Sequence, residues 1–101
     1  MSSRLELHEL LCETLGSRHV YFQPPSSIKM VYPAIVYSRN RIEKRHANDA
    51  IYKRLNSYTV TVIDKDPDSE IVERVSTLPY CSFDRHFTSD NLNHDTFTIY
   101  Y

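Results

Sequence analysis

Glycine is almost missing from this chain: Gly16 is the only one among 101 residues. Phosphate cradles need several glycines where backbone must approach a ligand closely, so the common nucleotide-binding enzymes are excluded. Tryptophan is absent, and cysteine occurs twice, as Cys12 and Cys81. Two thiols are too few for a disulfide scaffold, which predicts a reduced, cytoplasmic setting. No apolar run is long enough to span a bilayer and no signal-peptide pattern opens the sequence, so no membrane partner is expected. An excess of either charge is missing too. Twelve Lys and Arg face 13 Asp and Glu, a net charge of −1, and no overall field draws the chain to nucleic acid or lipid.

What is present fits one small domain. Hydrophobic residues make up 41%, and eight tyrosines with four phenylalanines supply the aromatics. Tyrosine joins a large apolar body to a polar tip, which suits half-buried sheets and subunit contacts.

Ser3 and Glu6 have capping-box spacing, and Leu7, Leu11 and Leu15, with Leu10 beside them, form an apolar stripe that ends at Gly16. A helix over residues 3–15 follows. His19 to Phe22 reads as a short strand stopped by Pro24-Pro25, and Tyr32 to Ser38 as a strand with Pro33 at its start or on an edge. Leu55 to Asp64 alternates Tyr58, Val60 and Val62 with Ser57, Thr59 and Thr61, the period of a half-buried strand. Asp66 as cap and Pro67 as first residue predict a second helix, with Ile71, Val72, Val75 and Leu78 buried and Pro79 as its stop. Tyr80 to Phe87 reads as a strand with Cys81, Phe83 and Phe87 on one face. Thr88 to His94 has turn composition. Thr96 to Tyr101 closes the sequence as a strand with Phe97, Ile99 and Tyr101 on one side. The expected fold is α+β: a single domain over 1–101, with a mostly antiparallel sheet of four strands (five if His19 to Phe22 joins) and two helices on one face.

Asp84, His86, Asp90 and His94, with Cys81 before them, are residue types that bind zinc. Their spacing matches no zinc motif, and polar outward residues of an exposed hairpin account for them better. Cys81 beside His86 and Asp84 suggests a thiol and its base. Alternation along a strand, however, points Cys81 away from both, so a buried structural thiol is expected there and at Cys12. Neither catalytic residues nor a metal or other cofactor is predicted, and an enzyme is not expected.

The strongest signal is charge. From Arg39 to Arg54, six bases (Arg39, Arg41, Lys44, Arg45, Lys53 and Arg54) face Glu43 and Asp49, a local charge of +4. An excursion this long, about residues 40–54, between two strands is usually functional or disordered. From Asp64 to Asp95 eight acids face three bases, a local −5. Opposite charge on two parts of one small domain suits head-to-tail assembly, because a heterologous contact joins different surfaces of identical subunits. The same basic stretch also fits the phosphates of nucleic acid, which makes a small nucleic-acid-binding module the alternative reading. A solvated loop without a partner remains the plain reading of such a run.

Several stretches carry a family resemblance: Tyr58-Thr59-Val60-Thr61-Val62-Ile63-Asp64 through Asp66-Pro67-Asp68-Ser69, Leu78-Pro79, Cys81-Ser82-Phe83-Asp84-Arg85, Asp90-Asn91-Leu92-Asn93-His94 and Ile99-Tyr100-Tyr101, with the earlier Tyr32-Pro33-Ala34-Ile35-Val36-Tyr37. Together these stretches resemble small minor structural proteins of long-tailed phages and prophages, in particular tail terminators and tail-completion (head–tail joining) proteins. That resemblance implies a virion protein of the tail or neck, present in host cytoplasm during assembly. It implies a homo-oligomeric, usually hexameric, ring that caps the tail tube protein and meets the head-completion or connector protein. Arg39, Arg41, Lys44, Arg45, Lys53 and Arg54 would then form a subunit-interface or lumen loop, with non-specific contact to phage DNA. No catalytic residues carry over.

Overall fold

The leucine stripe and the alternating strand build two layers. In the computed structural model, which describes residues 4–40 and 57–101, the elements are α1 (Arg4–Leu15), β1 (Val20–Phe22), β2 (Ala34–Arg39), β3 (Ser57–Asp64), α2 (Glu70–Ser76), β4 (Cys81–Ser89) and β5 (Leu92–Tyr100). Five strands form one sheet in the order β1-β2-β3-β5-β4. Every neighbouring pair is antiparallel except β1 and β2, which run parallel. The fold is thus α+β, with β1 supplying the fifth strand and making the sheet mixed.

One face of the sheet is the core. Val20, Ile35, Tyr37, Tyr58, Val60, Val62, Phe97 and Ile99 pack against Leu7, Leu11, Cys12 and Leu15 of α1 and Ile71 and Val75 of α2. The register aligns this face in rows: Phe22 opposes Tyr37, Tyr37 opposes Val60, Val60 opposes Phe97, and Phe97 opposes Phe83. The other face carries cross-strand threonine pairs, Thr59 with Thr98 and Thr61 with Thr96, all half-exposed.

Gly16 ends α1 in the left-handed region at φ +86°, its N–H donating to Cys12 O at 2.8 Å. A Cβ here would meet only Arg74 Nη1 at 3.9 Å, an ordinary contact, so the cost of a side chain is conformational. Gly16→Ala is expected to lower the unfolding free energy by about 1–2 kcal/mol in urea titration, with no change in fold.

The second helix starts later than its acidic approach suggests. Ser69, not Asp66, is the N-cap, its Oγ accepting from Ile71 N at 3.2 Å. Asp64 and Asp66 each accept the backbone N–H two residues on, at 3.0 and 2.9 Å, so the acids form successive turns ahead of the helix. Pro33 lies just before β2 and its peptide bond is cis. The Ser3 half of the expected capping box and, apart from Asn40, the expected excursion of about residues 40–54 lie outside the described residues.

Candidate functional site

Among the described strands the most exposed is β4, the outer strand of the β4–β5 hairpin. Asp90 and Asn91 both have positive φ, 53° and 65°, the pair needed by a two-residue turn that matches strand twist. This tight turn lets β5 begin at Leu92, so Leu92 to His94 belongs to a strand and not to a loop. β4 is the sheet edge, and none of its nine residues is buried.

A bulge at Asp84 decides which side chains meet. The ladder runs Phe83 to Phe97, then Arg85 to Thr96 and His86 to Asp95. Phe97 and Asp95 lie two apart on β5 and share a face, so Phe83 and His86 share the core side. Phe87, opposite His94, falls on the other. Strict alternation had put Phe87 with Cys81 and Phe83, and His86 away from Cys81; the extra residue reverses both.

Asp84, His86 and His94 each have their own local partner. His86 Nδ1 donates to Asp95 Oδ1 at 2.8 Å, with Asp95 largely covered. Asp84 Oδ2 accepts from Thr98 Oγ1 at 2.7 Å on the outer face. The His94 ring stacks on Phe87 at 4.7 Å, and the Arg85 guanidinium lies 4.9 Å from the Phe87 centroid. The suspected ligands are thereby separated: Asp84 and His94 lie on the outer face, His86 on the core side, and Asp90 in the turn. Among the described residues, no three His, Cys, Asp or Glu side chains gather as a metal site.

Burial pushes the Cys12 thiol up, and burial followed by the nearby Asp84 carboxylate does the same to Cys81. Both thiols are therefore held protonated near neutral pH, the reverse of what a nucleophile requires. Labelling with a maleimide at pH 7 is expected to be slower at both than at a free cysteine, slowest at buried Cys12, and to become equal in urea.

Large apolar side chains are exposed at the base of the hairpin, on α1, and at Ile28 and Val31 ahead of β2. Tyr80 is 68% exposed and Phe83 54%, although Phe83 touches the core through an edge contact with Phe97 at 5.5 Å between centroids. The middle of the same edge carries Asp84, Arg85 and His86. A bulge and charges are the usual obstacles to indiscriminate strand pairing, so β4 offers aromatic contact at one end and refuses open-ended extension. On α1, Leu5 is 66% exposed. It lines a shallow groove of about 430 Å³ with Glu6, Glu9, Leu10, Glu13 and Tyr101. Sequence patterning singled out neither surface, because Leu5 falls off the Leu7-Leu11-Leu15 stripe and only tertiary folding brings Tyr101 beside it.

Of the six basic residues expected in a loop site, Arg39 is described. It ends β2, its guanidinium 5.9 Å from the Tyr58 centroid. Arg41, Lys44, Arg45, Lys53 and Arg54 lie outside the described residues. The stems of their segment are close together, since Asn40 N donates to Ser57 O at 2.7 Å, and Ser57 in turn opposes Tyr100. No helix among the described residues is long and apolar enough to cross a membrane. A scan of protein-family models finds no match to the chain, and neither does a search of curated proteins or of solved structures.

Proposed function

We propose that this chain is a structural assembly subunit of the tail-terminator or tail-completion kind, closing into a ring between a phage tail tube and the head connector. The observation that carries this reading is the hairpin edge: Tyr80 and Phe83 stand more than half exposed at a strand that, among the described residues, has no neighbour on its outer side. Large exposed aromatics mark contact sites, and a bulged, charged strand centre limits which partner fits. The sequence resemblance supplies the biological setting. Opposite charges on the 39–54 and 64–95 stretches favour a head-to-tail contact, which closes when the rotation between copies permits.

The product of such a contact is visible directly. Negative-stain electron microscopy of the purified protein is expected to show annular particles of uniform diameter. Featureless small particles at every concentration would remove the ring. The basic stretch also supports a second reading, a module that binds nucleic acid through phosphate contacts. Steeply salt-dependent DNA binding by the monomer, without annuli, would favour that reading.

A further inference from the structure

Among the described residues the sheet has two open edges, and each carries exposed apolar side chains. On one side β4 is the last strand, with Tyr80 and Phe83 more than half in water at its start. On the other side β1 is the last strand, and the segment joining it to β2 holds Ile28 and Val31, 37% and 56% exposed. Strands lie about 4.8 Å apart, so a sheet of five sets its edges roughly 19 Å from each other. The two patches are therefore too far apart to cover one another within one chain.

Both patches are restrained before any contact forms. Tyr80 keeps a positive φ of 57°, a strained conformation for a bulky side chain, and its carbonyl oxygen accepts from Tyr100 N at 3.0 Å. That bond to the neighbouring strand holds an exposed ring where the backbone would otherwise relax. Ile28 follows Pro24 and Pro25, and its N–H donates to Pro25 O at 3.2 Å, closing a turn. Groups ordered in advance lose less entropy when they are buried against a partner.

Charge separates in the same direction. The stretch from Thr14 to Asn40, which contains β1 and β2, has no acid, and its bases are Arg18, Lys29 and Arg39. Arg18 is paired with Glu9, whereas Lys29 and Arg39 make no ion pair among the described residues. Across the sheet, the stretch from Asp64 to Asp95 contains α2 and β4 and carries the local −5. Within it, Glu73 on α2 and Asp90 in the hairpin turn make no ion pair among the described residues.

We infer that the base of the β4–β5 hairpin docks on the β1–β2 edge of a second copy of this chain, with Tyr80 and Phe83 meeting Ile28 and Val31. The inference rests on the ring reading and names what the exposed hairpin edge meets. A contact between opposite edges of one sheet is heterologous, so it repeats from copy to copy until the ring closes. Lys29 then lies against an acidic neighbour, and that pairing of signs orients the subunits.

Half-contacts test it. An edge variant carries Tyr80→Gly and Phe83→Ala, and a loop variant carries Ile28→Ser and Val31→Ser. Glycine accepts the positive φ at position 80, and the loop positions are exposed, so both variants should fold, which thermal unfolding by circular dichroism checks. In sedimentation velocity each variant alone is expected to need a concentration about tenfold or more above that of the wild type to assemble. An equimolar mixture keeps one intact edge and one intact loop, and is expected to form a two-chain complex and nothing larger. Lys29→Glu, at an exposed position, should weaken assembly at low salt and less so at high salt. If the wild type assembles but the loop variant assembles equally well, or the mixture forms no two-chain complex, the pairing of edges is overturned and the ring reading stands. If the loop variant does not fold, Lys29→Glu decides, and assembly unchanged by it overturns the proposal. A loop variant that dimerises by itself would mean that two β4 edges pair across a two-fold axis, which also overturns it. A wild type that stays monomeric overturns both readings.

Discussion

Phe97→Ala is expected to cost about 3–5 kcal/mol, the range for removing a large aromatic from a core that collapses only partly around the void. Phe97 is fully buried near the middle of the core face, opposite Val60 on β3 and Phe83 on β4. Domains of this size retain only about 5–15 kcal/mol in total. The variant should therefore unfold at a markedly lower urea midpoint and be partly unfolded at physiological temperature. Its cross-strand neighbour provides the contrast. Phe83→Ala removes a ring that is already more than half in water, and the expected loss is well under that of Phe97, about 1 kcal/mol. If Phe83 serves contact between subunits, its removal shows in assembly before it shows in unfolding. Equal losses at the two positions would mean that the edge strand belongs to the core and is not available to a partner.

Acid should destabilise the domain through His8. Tyr37 is a buried residue whose hydroxyl is the polar end of the core, accepting from Arg4 Nη1 at 3.1 Å and lying 2.7 Å from His8 Nδ1. Arginine has no acceptor, so the hydroxyl proton is free to be given to His8, provided that Nδ1 carries none. Burial, then the Arg4 charge, lowers the His8 pKa from its ordinary 6.5, and burial raises that of Tyr37. The facing groups are Arg4, Glu9, Arg18 and Tyr37, of which only Glu9 favours the imidazolium. In the unfolded chain His8 takes its proton more readily than in the folded one. Stability is therefore complete above about pH 6.5 and declines as pH falls through that value, until the folded histidine also protonates. His8→Asn keeps an acceptor near Tyr37 without a titrating group, and should flatten this part of the stability profile in urea titrations from pH 7.5 to 5. A profile unchanged by the substitution would place the acid response elsewhere. Tyr37→Phe should cost about 1–3 kcal/mol at neutral pH, because it leaves partly buried His8 and Arg4 without that partner.

Elements governed by local pattern were readable from sequence. Leu7, Leu11 and Leu15 with Gly16 set α1, the alternation of Tyr58, Val60 and Val62 set β3, and the two end where expected, at Leu15 and Asp64. Failures came where one backbone detail redirects side chains. The start of α2 moved to Ser69 because Asp64 and Asp66 take backbone N–H groups in turns before the helix. Leu92 to His94 looked like a turn because the far end of the hairpin has polar residues on both faces. Its strand identity comes from the tight Asp90-Asn91 reversal. The bulge at Asp84 left no compositional mark, yet it separates Phe87 from Phe83 and moves His86 across the strand. The groove was illegible for another reason, since it joins the first helix to the last residue and no linear spacing encodes that approach.

The central claim is that identical subunits close on one another, and the most direct test is solution mass. Multi-angle light scattering of the purified wild-type protein, over a wide concentration range at low and moderate salt, is expected to find one discrete closed assembly, a hexamer, in exchange with monomer. Higher salt should shift the balance towards monomer, because the contact pairs opposite charges. A single mass near 11.9 kDa at every concentration, or a ladder of sizes with no preferred endpoint, would contradict it.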